Sequence, residues 1–170
     1  MIKAGKSAKF GGYVLGCWAE PAKNLLENGC EAVIFVGSGV FHPLGFECKY
    51  VFDLETGAVR SIEKEQLRWQ MRRHGRIAKA KDARTFGIIV STKTGQKELL
   101  EKADNIKQRL EQSNKKAFIV IMDEVNSEIL SQMKVDAFIN TACPRIADDE
   151  WSKPLINADD IDMLLDEENV

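Results

Sequence analysis

The sequence predicts an α/β protein of two small, similar lobes with mainly parallel sheets flanked by helices, the first lobe incomplete. Three observations predict it. Apolar runs rich in β-branched residues at 31–37, 84–92 and 116–123 read as strands of a sheet with both faces covered. Between the last two, Leu99, Ala103, Ile106 and Leu110 recur at helical spacing on one face. Strand, helix and strand in that order make a parallel pair joined by a right-handed crossover.

The amino-terminal lobe is expected over 1–83 and the second over 84–170. "GYVLGCWAEP" (12–21) is a loop leading into a helix over about 18–28. "EAVIFVG" (31–37) follows as a strand, then a helical turn near 40–46 and the strand "KYVFDLE" (49–55). The polar stretch 61–83 reads as a connecting helix, with the lobe boundary near Ala83. Too few strands precede Cys17 for a complete domain, so a further amino-terminal segment is expected. The second lobe reads "RTFGIIVST" (84–92), helix, "KAFIVIMD" (116–123), a helix over "VNSEILSQMKV" (125–135) and the strand "DAFIN" (136–140). A loop carrying Cys143 and an acidic tail, "NADDIDMLLDEENV", complete it.

At 44% hydrophobic and 29% charged, the 170 residues can build a core and stay in solution. A formal net charge of −2 argues against a nucleic-acid surface as the main business, with the basic run Arg68–Lys81 a local exception. No apolar stretch reaches the roughly 18–20 residues that span a bilayer, and no signal region is present. A cytoplasmic, reducing location is therefore expected, without disulfides.

Four cysteines occur, none in a CxxC pair, which removes the usual spacing of a structural zinc site. Cys30 and Cys48 each lead into a strand and read as small packed hydrophobes. Cys17 and Cys143 stand in loops beside glycine or proline, and Cys17 opens a helix, where a thiol is acidified. Two such thiolates in corresponding places of similar lobes could share one iron–sulfur cluster. They do not complete the usual four ligands. A third from elsewhere would leave one iron open for chemistry.

Other loops carry weaker signals. "STKTGQK" (91–97) is either a polar turn with a helix N-cap or a flavodoxin-like phosphate loop, since Thr92, Thr94 and Gly95 approximate T-x-T-G. Lys97 stands where that pattern wants a hydroxyl. His42, in "GSGVFHPLG" (37–45), is an acid–base candidate or a structural hydrogen-bonding group. In "MDEVNSE" (122–128), Asp123 as helix N-cap and Glu124 in the first turn account for the paired acids.

Taken in order, "YVLGC", "GSGVFHPLG", "ARTFGIIVSTKTGQ", "VIMDEV" and "FINTACPRIADDEW" resemble the archaeal diphthamide synthase family, 2-(3-amino-3-carboxypropyl)histidine synthase. The resemblance runs from about Gly11 to Pro154. It implies three similar α/β domains around a [4Fe–4S] cluster, each giving one cysteine. It also implies a non-standard radical enzyme that cleaves the Cγ–S bond of S-adenosylmethionine. The 3-amino-3-carboxypropyl group then passes to a histidine of translation elongation factor 2, the first step of diphthamide formation.

Residue by residue, the resemblance makes Cys17 and Cys143 cluster ligands and leaves Cys30 and Cys48 to packing. It makes Arg145 a partner for the methionine carboxylate, because its fork matches a carboxylate bidentately. Gln96 and His42 are further pocket-lining candidates. The family's first domain and its cysteine have no counterpart here. The resemblance therefore implies a homodimer, or a complex with a chain supplying that domain, and little activity without it. A flavodoxin-like flavin protein built on 91–97 and a non-catalytic partner subunit are the alternative expectations.

Overall fold

The computed structural model describes residues 9–14, 19–92 and 96–166, without the side chains of 96–99. It is an α/β structure. Two compact units divide it, Met1–Gln70 and Met71–Val170, and the division falls inside the long helix α3 (Glu63–Lys81).

The first unit runs through α1 (Glu20–Glu27), β1 (Ile34–Val36), α2 (Phe41–Leu44), β2 (Tyr50–Phe52) and β3 (Val59–Ser61). β1 and β2 are parallel, with Phe35 opposite Val51, and β3 pairs antiparallel with β2. The sequence reading missed β3. Asp53 builds the hairpin: its Oδ1 accepts the N–H groups of Glu55 at 2.9 Å and Thr56 at 3.0 Å. Gly57 takes a φ of +66°, and the Asp53 N–H closes on Ala58 O at 2.9 Å. The backbone bond from Thr56, ahead of that from Glu55, holds the Asp53 carboxyl below its ordinary range.

The run 31–37 is not covered on both faces. Ile34 and Val36 are 52% and 58% exposed, while Phe35 packs on a core of Ala19, Ala22, Phe46, Cys48, Val51 and Ile62. Alternation along the strand puts one residue in the core and its neighbours out. The helix α3 begins on this unit, where Gln66 Nε2 donates to Pro43 O at 3.0 Å and Phe46 O at 2.8 Å.

The second unit runs β4 (Thr85–Ser91), α4 (Gln96–Gln112), β5 (Lys116–Met122), α5 (Ser127–Gln132), β6 (Ala137–Asn140), β7 (Leu155–Asn157) and α6 (Ile161–Leu165). Its four strands are parallel in the order β5-β4-β6-β7. Helices cover both faces. Phe86, Ile88 and Val90 of β4 pack with Ile77 and Ala80 of α3, and with Ala103, Ile106 and Leu110 of α4. Ile89 faces the other way, onto Leu130, Phe138, Ala147 and Leu155. Gly87 shares that second face, where a Cβ would meet the Phe138 ring at 2.8 Å. Only glycine lets the two strands hold that ring between them.

Three expectations are corrected in this unit. The strand at 116–123 is an edge, paired among the described residues only with β4, and Phe118 and Ile121 are 56% and 53% exposed. The acidic segment is built into the fold as far as residue 166: Ala158, Ile161 and Leu164 are buried, while Asn157 and Asp160 form a capping box. Asp123 is not the cap of α5. Asn126 takes that place, its side chain accepting the Glu128 N–H at 2.8 Å.

The end of α4 shows how local chemistry sets the layers. Asn114 adopts a left-handed φ of 58°, and Lys115 N–H returns to Leu110 O at 2.9 Å. Lys115 Nζ then caps α3, donating to Lys81 O at 3.0 Å and Ala83 O at 2.9 Å.

Candidate functional site

The chain passes from β4 to β5 on one side and returns past β4 to β6 on the other. Such a reversal opens a crevice at the carboxyl ends of the two diverging strands. Here it lies between β4 and β6. The loops singled out from sequence, 91–97 and the one carrying Cys143, leave from those two ends.

β6 ends on Asn140, buried to 1% exposure among apolar neighbours. Both ends of its amide are engaged. Oδ1 accepts the Ala142 N–H at 3.0 Å, and Nδ2 donates to Cys143 O and Asn157 Oδ1, both at 2.9 Å. The Cys143 carbonyl also accepts Ile146 N–H at 3.0 Å, so both its lone pairs are filled. Thr141 staples the loop to β4: its N–H and Oγ1 both donate to Ile89 O, at 3.1 and 2.8 Å. Pro144 opens a 3-10 turn, Pro144–Asp148, and Trp151 Nε1 donates to Ile146 O at 2.7 Å beneath it.

A second tier supports the first. Asn157 lies opposite Asn140 on β7 and also donates to Pro144 O at 3.3 Å. Asp160, buried, accepts Asn157 N–H at 3.2 Å through Oδ2. Its Oδ1 accepts Arg73 Nε at 2.7 Å and Nη2 at 2.6 Å. Arg76 reaches Asp148 at 3.1 Å, so two arginines of α3 hold the segments flanking the loop. Among the described residues no buried side-chain polar atom lacks a partner. On this braced backbone Cys143 and Arg145 are themselves exposed. The scaffold is rigid where it is buried and offers its thiol and guanidinium outward.

Comparison with known proteins agrees with this reading of the fold. Residues 2–170 match the family model described as "Putative diphthamide synthesis protein". The chain belongs to the diphthamide synthesis family. It is 37% identical over 162 residues to 2-(3-amino-3-carboxypropyl)histidine synthase of Pyrococcus horikoshii, covering 91% of this chain and 45% of that one. A crystal structure of Dph2 from Pyrococcus horikoshii matches with a TM-score of 0.79 at 36% identity, over 92% of this chain and 47% of that one. A structure of Dph2 with a 4Fe-4S cluster matches with a TM-score of 0.78 at 35% identity, over 91% and 45%. The chain thus spans about half the length of these relatives.

Other residues named from sequence fall in several places. Cys17, Thr94 and Gly95 lie outside the described residues, and of Gln96 only the backbone is described, as the first residue of α4. His42 is in the first unit on α2, half-buried against the rings of Phe35 and Phe41 at 6.0 and 5.3 Å between centroids. Thr92 is engaged, its hydroxyl donating to Asp123 Oδ1. Cys48 is fully buried, with its Sγ donating to Tyr50 O at 3.2 Å, and burial pushes its thiol up in pKa. Cys30 is half-buried after α1. Among the described residues no three His, Cys, Asp or Glu side chains gather to hold a metal, and no helix is long and apolar enough to cross a membrane.

Sequence reasoning missed Asn140, Thr141, Asn157 and Asp160 as the framework of the loop. A signal existed. "AFIN" ends an inward-facing run on a polar residue, and such a residue must find partners or cost stability. A soft, exposed cysteine on a fixed backbone fits one corner of an iron–sulfur cluster, which draws its other ligands from separate segments.

Proposed function

We propose that this chain is a component of an enzyme transferring a 3-amino-3-carboxypropyl group from S-adenosylmethionine to a histidine of translation elongation factor 2. One observation carries the reading: Cys143 is presented at the β4–β6 crevice on a loop whose buried support is completely hydrogen-bonded. A ligand to a redox cluster needs such a support, because loop motion would vary the metal–sulfur distance.

In this reading Cys143 and Cys17 hold a [4Fe–4S] cluster, with a third thiolate from a partner domain, supplied by a second chain or a longer one. The cluster, when bound, supplies the electron that breaks the Cγ–S bond of S-adenosylmethionine. The chain's own residues bind and orient. Arg145, two residues after Cys143, pairs with the carboxylate of the methionine moiety, and Gln96 and His42 are further candidates for binding S-adenosylmethionine. Cys48 stays outside the chemistry, because its buried thiol is held protonated. The compartment is the reducing cytoplasm, which keeps the ligand thiols free.

The test is anaerobic reconstitution of the chain together with a family amino-terminal domain, followed by iron analysis and electron paramagnetic resonance. Cys143→Ala and Cys17→Ala should each lose most of the bound iron, while Cys30→Ala and Cys48→Ala should retain it. Arg145→Ala should keep the iron and lose S-adenosylmethionine affinity by about tenfold or more. Unchanged iron in Cys143→Ala would refute the assignment.

A further inference from the structure

Two consecutive carbonyl groups lie between the residues that carry the thiol and the guanidinium of the Cys143 loop, and different asparagines hold them. Cys143 O accepts Asn140 Nδ2 at 2.9 Å, and Pro144 O accepts Asn157 Nδ2 at 3.3 Å. Each carbonyl lies in a planar peptide unit, and the two units share the Pro144 Cα. The proline ring fixes its own φ at about −65°, so ψ of Pro144 is the soft torsion between the two planes. Rotation about it swings Pro144 O away from Asn157 and carries the Arg145 Cα along. The Ile146 N–H bond to Cys143 O restrains this torsion from within the loop, and Asn157 restrains it from the end of β7.

Asn157 is itself oriented from several sides. Its Oδ1 accepts Asn140 Nδ2 at 2.9 Å, and its side chain also accepts the Asp160 N–H in the capping box. With the oxygen so engaged, the amide must turn Nδ2 toward Pro144. Asp160 Oδ2 accepts the Asn157 N–H at 3.2 Å, while Arg73 grips Oδ1 of that carboxylate at 2.7 and 2.6 Å. Asp160 is only 3% exposed, and a buried carboxylate is held only where it is paired. This line of contacts from α3 ends on the carbonyl immediately before Arg145. Asn140 already holds the carbonyl of Cys143, so the thiol does not need the second anchor.

We propose that Asn157 is a positioning residue for Arg145, fixing where its guanidinium stands relative to the Cys143 thiol. The consequence for the reaction rests on the reading of Arg145 as partner of the methionine carboxylate. That carboxylate stands at a fixed number of bonds from the Cγ–S bond to be broken, so a shift of Arg145 misplaces the reacting bond. The two asparagines thereby divide the work: Asn140 sets the cysteine, and Asn157 sets the arginine.

Substitution at Asn157 in the chain reconstituted with a family amino-terminal domain tests it. Asn157→Ala should keep the iron of the wild type and bind S-adenosylmethionine about three- to tenfold more weakly, the worth of one hydrogen bond. Asn157→Asp keeps an acceptor for Asn140 but turns an oxygen on Pro144 O, and should lose at least as much. The double variant Arg145→Ala with Asn157→Ala should bind within about twofold of Arg145→Ala alone, because Asn157 acts through Arg145. The chain without iron gives a second readout. Phenylglyoxal should modify Arg145 about threefold faster in Asn157→Ala, while iodoacetamide alkylates Cys143 at the wild-type rate. Additive losses in the double variant, iron loss in Asn157→Ala as large as in Cys143→Ala, or an unchanged Arg145 modification rate each overturn the proposal. If Arg145→Ala itself binds S-adenosylmethionine normally, the carboxylate reading falls, and the two modification rates alone decide whether Asn157 places Arg145.

Discussion

The two sheets of this chain show how far length and coverage decide what a strand can support. In the first unit three strands of three residues each leave Ile34, Val36 and Tyr50 facing out, over a small core beneath Val51. In the second, a seven-residue central strand is buried on both faces and flanked by partners in continuous register. Cys143 is mounted on the second kind. A site that holds a reactive group in place must rest on elements that themselves do not move. The difference teaches that the β4–β6 crevice is the mechanically favoured place for chemistry.

The largest expected effect breaks the better-built region at its tightest point. Gly87→Val places a branched side chain where even a Cβ would lie 2.8 Å from the buried Phe138 ring. Neither β4 nor β6 can retreat without losing its register. The change should cost about 3 kcal/mol, at the upper end for overpacked cores. Val36→Ala on β1 removes an exposed side chain and should cost within about 0.5 kcal/mol. Urea denaturation of both variants checks the pair, and equal losses would erase the distinction between the sheets.

Much of this architecture was legible in the residues, and what was not has physical reasons. The helix at 96–112 and the strands 85–91 and 137–140 follow from apolar periodicity, which core burial enforces directly. The exposed face of β1 and the edge position of β5 were not legible, because an apolar run looks the same whether one face or two are covered. Strand β3 was hidden in a polar segment: its pairing depends on the Asp53–Gly57 turn and not on hydrophobic content. The capping box at Asn157 and Asp160 hid behind acidity. Cys143 was visible as an odd residue in an odd place, but Asn140, which positions its loop, sat inside a run read only as strand. The asparagine marks the engineering beneath the cysteine loop.

Asn140 supplies the next sharpening. Asn140→Ala strands the Ala142 N–H and removes two donated bonds, to Cys143 O and Asn157 Oδ1. Leaving buried partners unsatisfied should cost about 2 kcal/mol. Asn140→Asp keeps an acceptor for Ala142 N–H but loses both donated bonds, and sets a charge beside two acceptors. It should be at least as damaging as alanine. Asp53→Ala, the counterpart in the exposed hairpin of the first unit, should weaken only its own turn. Thermal melts rank the three, and alkylation of Cys143 should change rate only in the Asn140 variants.

The smallest expected effect belongs to the buried cysteine of the first unit, and it is a pH dependence. Burial raises the Cys48 thiol above its ordinary value, against the opposing backbone hydrogen bonds at Phe35 and Tyr50. In the unfolded chain the thiol ionises near the ordinary value, while the folded chain keeps it protonated to higher pH. The protonated thiol therefore favours the native state fully below about pH 9, and that contribution fades as pH rises through the folded value. Cys48→Ala creates a small void and should be less stable than wild type at pH 7. As pH rises past 9 the wild type loses stability that the variant never had, so the gap between them should narrow. Urea melts from pH 7 to 10 measure the gap. A gap for Cys48 that stays constant across that range would mean the thiol is not shielded in the native state.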